Sequence, residues 1–503
     1  MASSSSSSSS IDVYAVAEPD APNTLGGIAG LGEAPHPSVL GHMVKSLMPG
    51  QDLTRVTIPP FFLEPRSLLE RMADLMMHPG LLPGLGAVAD PLGRMACVLR
   101  WFLSGWHYST PGVQKPFNPI AGETFACYWQ LPDGSRTQFI AEQVSHRPPL
   151  SAIYVENRPH NISISSHVWT KSQFQAPQTT KSMMDGLVVL TLTDIGEEYH
   201  MTLPTFYAHN LIVGTMRMEI GDSCSIACAK TGLRADIDFL QMTMFSSKNH
   251  KGFEARVSRF TPPPDTSAAA AAAGGSAAAK ASKASSAPGE VLCTFEGVWD
   301  GVVKQVSGPS VAPLMAGCGA FAKGLDTSAG APFLDISKLV IEPKFVLPIA
   351  LQGPWESRRL WQFPTRELLV RPEVQWALVD KEKLQLEEEQ RLLPCHHKDG
   401  ADWETKLFHA KPGGVMDPAC GKVRDPFFLF DEALLTKFAG ADSAEGAKEL
   451  AERNFLLKSR ELPDPRGGLR GVGAVESFTD AIKTINLSQR RVADRLATQE
   501  PNA

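Results

Sequence analysis

A hydroxyl, an imidazole and a guanidinium stand in a row at Ser145, His146 and Arg147 in the stretch AEQVSHRPPL, which closes on Pro148 and Pro149. Three chemistries use such groups: a nucleophile with its base, a metal site, or a cradle for an anion. Successive side chains on a strand point to opposite faces, so Ser145 and His146 are poorly placed to act as nucleophile and base. No G-x-S-x-G turn occurs in the chain, which argues further against a hydrolase. Cys224-x3-Cys228 and Cys395-His396-His397 lack the paired spacing of a zinc module, so neither metal nor cofactor is expected. The two prolines remove two backbone donors and end regular pairing, leaving His146 and Arg147 where a strand opens into a rim. Such a rim suits an anion, and taken alone it equally suits a polar strand end.

Two further segments carry possible chemistry. In KPFNPIAGETF, Pro116 and Pro119 fix the backbone around Lys115 and Asn118, and Gly122 permits a turn before Glu123. This is the rigidity of a binding loop, or of a structural one. In KEKLQLEEEQR, Lys383, Glu387 and Arg391 recur every four residues and drift only about 40° per step around a helix axis, so they share a face. By itself that pattern is usual for a solvated, salt-bridged surface.

The elements that must position these residues are mostly strands. From about residue 124 onward, short β-branched and aromatic runs follow one another: Thr137 to Val144, Leu150 to Val155, Ile162 to Thr170, Leu187 to Thr193, Tyr199 to Leu203, Leu211 to Ile220 and Ala235 to Phe239. Turns such as Pro132-Asp-Gly134 separate them, and no helix intervenes, which predicts an antiparallel meander or barrel. Before it, Ser67-Leu-Leu-Glu70 has capping-box spacing, and Leu68, Leu69, Met72, Leu75 and Met76 predict an amphipathic helix ended by His78-Pro79-Gly80. Trp355 to Trp361 and Glu373 to Leu393 also read as helical, and Val475, Phe478, Ile482 and Ile485 fit one helix face.

Residues 1–40 are Ser-, Ala-, Gly- and Pro-rich and read as a disordered tail. The main domain is expected over 41–435, with a low-complexity insertion at 261–289, a loose segment at 307–330 and a partly helical extension at 436–503. The 503 residues carry a net charge of -6, which argues against nucleic acid as a partner and confines any anion site to a local patch. Eight cysteines spread over this length do not make a disulfide scaffold, and neither a signal peptide nor an apolar membrane span is evident. A soluble intracellular protein is the expectation.

Taken together, KPFNPIAGETF, EQVSHRPP, GTMRMEIGDSCSIACAKTG, WESRRLW and KEKLQLEEEQR resemble the lipid-binding domain of the oxysterol-binding-protein-related family, over approximately Met43 to Phe430. The resemblance implies a mainly β (α+β) fold: an incomplete antiparallel β-barrel around a hydrophobic lipid tunnel, an N-terminal lid at about Leu47 to Ile58, and a C-terminal helical subdomain. It also implies a basic mouth for the phosphatidylinositol 4-phosphate headgroup, built from Lys115, Asn118, Glu123, His146, Arg147, Lys383, Glu387 and Arg391. Arg147 stands where the family has a second histidine; an arginine grips phosphate with a planar fork and keeps its charge.

No covalent chemistry is required of such a protein. Exposing an acyl chain to water costs about 0.8 kcal/mol per CH₂, so a carrier encloses the tails and leaves the headgroup at a polar rim. PPFFLEPRSLLERMADLMMHP, GTMRMEI and DWETKLF look most like the branch that exchanges phosphatidylserine for phosphatidylinositol 4-phosphate; other branches carry sterol. The implied setting is the cytosol, with transient peripheral docking at intracellular membranes and their contact sites. A lipid sensor that reports to a protein partner is the other reading, with that partner unidentified.

Overall fold

The computed structural model describes residues 18–19, 63–108, 115–175, 179–210, 217–241, 251–263, 289–319, 326, 328, 330–349, 352–353, 355–369, 376–391 and 405–431. The expected lid, nearly all of the low-complexity insertion and the extension beyond 435 lie outside them.

The strands are β1 (Glu18–Pro19), β2 (Leu63–Ser67), β3 (Lys115–Phe117), β4 (Thr124–Gln130), β5 (Arg136–Ser145), β6 (Leu150–Asn157), β7 (Ile162–Gln175), β8 (Thr179–Leu192), β9 (Glu197–Met201), β10 (Thr205–His209), β11 (Arg217–Cys228), β12 (Leu233–Phe239), β13 (Gly252–Arg259), β14 (Val291–Val298), β15 (Val302–Ser307), β16 (Leu334–Asp335) and β17 (Lys344–Val346). One 15-stranded sheet runs in the order β1-β17-β4-β5-β6-β7-β8-β10-β11-β12-β13-β14-β15-β16, with β9 bridging β8 and β11. Its pairings are antiparallel and join mostly sequential neighbours, the meander that the strand runs predict. Among the described residues the end strands β1 and β16 do not pair with each other, so the barrel is incomplete. The burial of β12 alternates, with Leu233, Ala235, Ile237 and Phe239 inward, because successive side chains take opposite faces.

The inward face holds a helix that lies outside the runs read from the sequence. Helix α1 (Leu68–Met72) is short, and α2 (Pro91–Ser104) is the longer one that packs within the sheet. Asp90 caps α2 by accepting from the Gly93 N–H at 3.0 Å, Pro91 opens it, and every residue from Gly93 to Ser104 is buried. Arg94, Arg100 and Ser104 are buried along with the apolar residues, so the polar positions of this helix do not mark a solvent face. Arg94 fastens it to β9, donating from Nε to Glu197 at 2.8 Å, and Tyr199 donates to the same carboxylate at 2.8 Å.

Three expectations are revised here. The predicted helix after Ser67 is α for one turn only and becomes 3₁₀ over Ala73–Met76. Ser67 accepts from the Leu69 N–H at 3.4 Å, but Glu70 does not complete a capping box: it is buried and pairs with Arg358 at 2.5 Å and Lys344 at 3.4 Å. The segment read as loose puts Val311, Met315 and Cys318 into the core, because the 3₁₀ turn Pro313–Met315 packs on α2. The N-terminal tail also contributes the short edge strand β1, paired with Phe345 and Val346.

The C-terminal helices are α3 (Ser357–Leu360), α4 (Gln362–Leu369) and α5 (Trp376–Arg391); α3 and α5 fall within the two helical stretches expected, and α4 lies between them, outside both. After them come β18 (Phe408–Lys411), β19 (Val415–Met416), β20 (Val423–Arg424) and β21 (Phe427–Phe430), as two small two-stranded sheets. Among the described residues no helix is long and apolar enough to cross a membrane.

Candidate functional site

Strand β3 places Lys115 at the start of the Pro-bounded loop and pairs in parallel with β2. Phe117 turns inward, fully buried, and stacks on Trp361 with ring centroids 4.6 Å apart; Asn118, the next residue, is exposed. Phe117 and Ile120 share one apolar cluster with Trp355 and Leu360 and with Val379 and Leu386 of α5. Lys383 lies between those last two on the helix, four residues after Val379 and three before Leu386, and therefore on the face turned to the loop. It is only 7% exposed and contacts Glu387 at 2.7 Å. The expectation of a solvated helix surface is corrected for this lysine. Arg391 ends α5, and its side chain lies outside the described residues.

Glu123 occupies a different place from the one implied for it. It is fully buried and accepts from the Ile120 N–H at 3.1 Å, the Ser357 hydroxyl at 2.7 Å and the Trp361 indole N–H at 2.9 Å. Burial raises its carboxyl above the ordinary value, against the pull of those donors. These contacts make Glu123 the brace of the loop, tying it to α3 and to Trp361.

The second segment forms the turn between β5 and β6. Ser145 pairs with Leu150 across it, His146 is half-buried and Arg147 exposed, as the two prolines lead one to expect. Gln143 supports the turn from within: its amide donates to the Ser145 carbonyl at 2.8 Å and its oxygen accepts from Ser151 at 2.6 Å. The same residue reaches the first loop through its backbone. Gly122 N–H donates to the Gln143 carbonyl, and Gln143 N–H to the Glu123 carbonyl, both at 2.9 Å. Gly122 adopts φ +78°, in the left-handed region that glycine tolerates. The loop and the SHRPP turn are thus joined directly, and α5 meets the loop through the shared apolar cluster.

Sequence reasoning missed Lys406, in the stretch ETKLF. Its ammonium donates to the Gly122 carbonyl at 3.3 Å and lies 4.6 Å from the centre of the Trp355 ring, while its backbone N–H donates to buried Glu142 at 3.0 Å. Burial pushes the amine down to about 8, against the opposing pull of Glu142. The one signal in the sequence was a lysine placed directly before the apolar pair Leu407 and Phe408. Among the described residues no group of three or more His, Cys, Asp and Glu side chains forms a metal cluster.

With this geometry in view, comparison with known proteins is decisive. The family profile described as Oxysterol-binding protein matches residues 40–307, which include the Pro-bounded loop and the SHRPP turn. The chain belongs to the oxysterol-binding protein family. It is 33% identical over 380 residues to human oxysterol-binding protein-related protein 5, covering 75% of this chain and 38% of that protein. The oxysterol-binding protein-like protein OBPa of Candida albicans is 33% identical over 375 residues, 74% of this chain and 75% of the relative. The chain therefore spans about two fifths of the first relative's length and three quarters of the second's. In fold it is similar to the Osh1 ORD domain solved with cholesterol (TM-score 0.55, 21% identity, 82% of this chain and 88% of that one). It is likewise similar to the Osh3 ORD of Saccharomyces cerevisiae solved with PI(4)P (TM-score 0.52, 22% identity, 84% and 95%). An oxysterol-binding-related lipid-binding domain, mainly β with a few helices, accounts for both sets of findings.

Proposed function

We propose that this member of the oxysterol-binding protein family is a lipid transfer protein. It extracts phosphatidylinositol 4-phosphate and exchanges it for a second lipid, with phosphatidylserine the first candidate. The observation that carries this reading is the junction of the Lys115–Asn118 loop with the His146–Arg147 turn, beside a helix that presents Lys383. An anionic headgroup would meet Lys115, Asn118, His146, Arg147 and the Lys383–Glu387 pair there, and Arg391 would join them from the end of α5. Arg147, exposed on the turn, offers a bidentate fork. The PI(4)P carried by the related Osh3 domain supports this headgroup. Sterol is the second reading for the exchanged lipid, favoured by the cholesterol and ergosterol carried by Osh1. The setting would be the cytosol, with transient docking at intracellular membranes and their contact sites.

The test is transfer of phosphatidylinositol 4-phosphate between liposomes by the pure full chain, with acceptors containing phosphatidylserine or sterol. Lys115→Ala removes a charge-assisted contact worth about 1.5–3 kcal/mol, so extraction should fall about ten- to hundredfold. Binding without transfer would favour the sensor. Full transfer by a well-folded Lys115→Ala variant would remove the loop from the headgroup site.

A further inference from the structure

Arg100, on α2, is a second feature with its own chemistry. Its side chain is 2% exposed, and its Nε and Nη1 donors are buried without an acceptor. The guanidinium lies 5.1 Å from the centre of the Phe333 ring, and Phe333 packs at 4.2 Å on Phe295, an inward residue of β14. The titratable side chains that act on it are thiols, Cys97 one helical turn earlier and Cys318 from the segment that packs on α2; no carboxylate among the described residues does so. Cys97 hydrogen bonds to Cys318, which donates on to the Leu81 carbonyl at 3.7 Å. Burial in these surroundings disfavours the charge, yet an arginine does not give it up.

Two more donors, on the same helix and just beyond its end, are in the same condition. The indole N–H groups of Trp101, on α2, and Trp106, just beyond it, are buried without an acceptor. A water could satisfy an N–H, but it does not neutralise a guanidinium. What this region requires is an anion that brings acceptor oxygens. The wall beside the guanidinium is apolar, formed by Phe333 and, behind it, Phe295, so an anion attached to a hydrocarbon tail enters at less cost than a fully hydrated ion.

We propose that Arg100 is the centre of an internal subsite for an acidic amphiphile, binding its carboxylate or phosphate. This subsite is separate from the residues assigned to phosphatidylinositol 4-phosphate, so the two readings fail independently. The probes are sodium oleate, oleyl alcohol as its uncharged counterpart, and inorganic phosphate. Each is titrated into the full chain and into Arg100→Met, with thermal unfolding and intrinsic tryptophan fluorescence as readouts. Oleate should raise the Tm of the native chain and bind Arg100→Met at least tenfold more weakly, while oleyl alcohol treats the two alike. Without ligand, Arg100→Met should be at least as thermostable as the native chain, because it removes a buried charge that no acid compensates. Phosphate that protects the native chain as well as oleate does, and not the variant, would keep the anion site and assign it to a free ion. Equal oleate binding by both proteins, or none by the native chain, overturns the proposal. If Arg100→Met does not fold, Arg100→Lys keeps a charge without the fork and should bind oleate several-fold more weakly; undiminished affinity there also overturns it.

Discussion

At the scale of single residues, Lys406 ties the candidate site to solution pH. Its amine titrates near 8 in the folded protein, below the ordinary lysine value of 10.5. The charge beside the Gly122 carbonyl is therefore present at pH 7 and mostly gone at pH 9. Between about 8 and 10.5 the unfolded chain binds the extra proton, so this residue's contribution to stability rises with pH across that window. Headgroup affinity should move the opposite way, falling about tenfold from pH 7 to 9 as a charge-assisted contact that holds the loop is lost. Lys406→Arg should flatten the profile, since arginine stays charged. Liposome binding at fixed ionic strength measures this, and a slope unchanged by the substitution would show that Lys406 does not act on the loop. Glu123 carries a related lesson: one carboxylate reads alike in sequence whether it lies at the surface or is enclosed by internal donors, and the fold encloses this one with Ser67, Ser357, Trp361 and the Ile120 N–H.

Among the elements, α2 is the one on which the interior depends. A Cβ at Gly93 would meet the Leu314 carbonyl oxygen, so the close approach of α2 to the Pro313–Met315 turn requires glycine there. Gly93→Ala should destabilise the protein by about 1–3 kcal/mol through overpacking, seen as a lower urea midpoint. An unchanged midpoint would mean that the helix and the turn separate without cost. The strands of the meander were legible because alternation and turn residues are local signals: β5, β6 and β12 match their expected runs to within a few residues. Helix α2 was not singled out, and its complete burial, arginines included, depends on tertiary packing that local spacing does not show. The run expected over Leu211 to Ile220 overlaps β11, which continues to Cys228, and residues 211–216 lie outside the described residues.

For the molecule as a whole, buried ionisable groups set an acid limit. His78 and His107 meet through their Nε2 atoms at 2.9 Å; burial lowers them to about 3 and about 4, and His167 is also held down to about 4. These folded values lie below the ordinary 6.5, so the unfolded chain takes up protons that the native state refuses. Stability present at pH 7 is then lost as pH falls below 6.5, at up to about 1.4 kcal/mol per pH unit for each histidine. The cluster in which Glu64 pairs with Arg66 and Arg71, and Glu70 with Arg358 and Lys344, adds a second loss. Burial opposes ionisation of Glu70, but the cations outweigh it and hold the carboxyl at about 2; Glu64 is lowered in the same way. Their contribution is intact above about 4.5 and is lost as pH falls through the lowered folded values, about 2 for Glu70. Glu123 and Asp236, raised by burial, run the other way and soften the slope. The expected outcome is a Tm that declines steadily from pH 6.5 to 4, followed by circular dichroism; a Tm flat over that range would show that the histidines are not buried neutral.

The sequence by itself determined the class of fold and the three segments of the site. Alternation, proline and glycine act within a few residues, and the combination KPFNPIAGETF, SHRPP and KEKLQLEEEQR is specific. Only the tertiary structure decided which members of those segments face one another. The backbone pair between Gly122 and Gln143 joins the loop to the turn, and Val379 and Leu386 bring Lys383 against Phe117 from far along the chain. It also placed Glu70 in an ion pair rather than a helix cap, enclosed Glu123 among internal donors, and set Arg100 against an apolar wall with no carboxylate beside it among the described residues. Burial and long-range partners set the charge state and role of each ionisable group, and neither is a property of nearest neighbours in the chain.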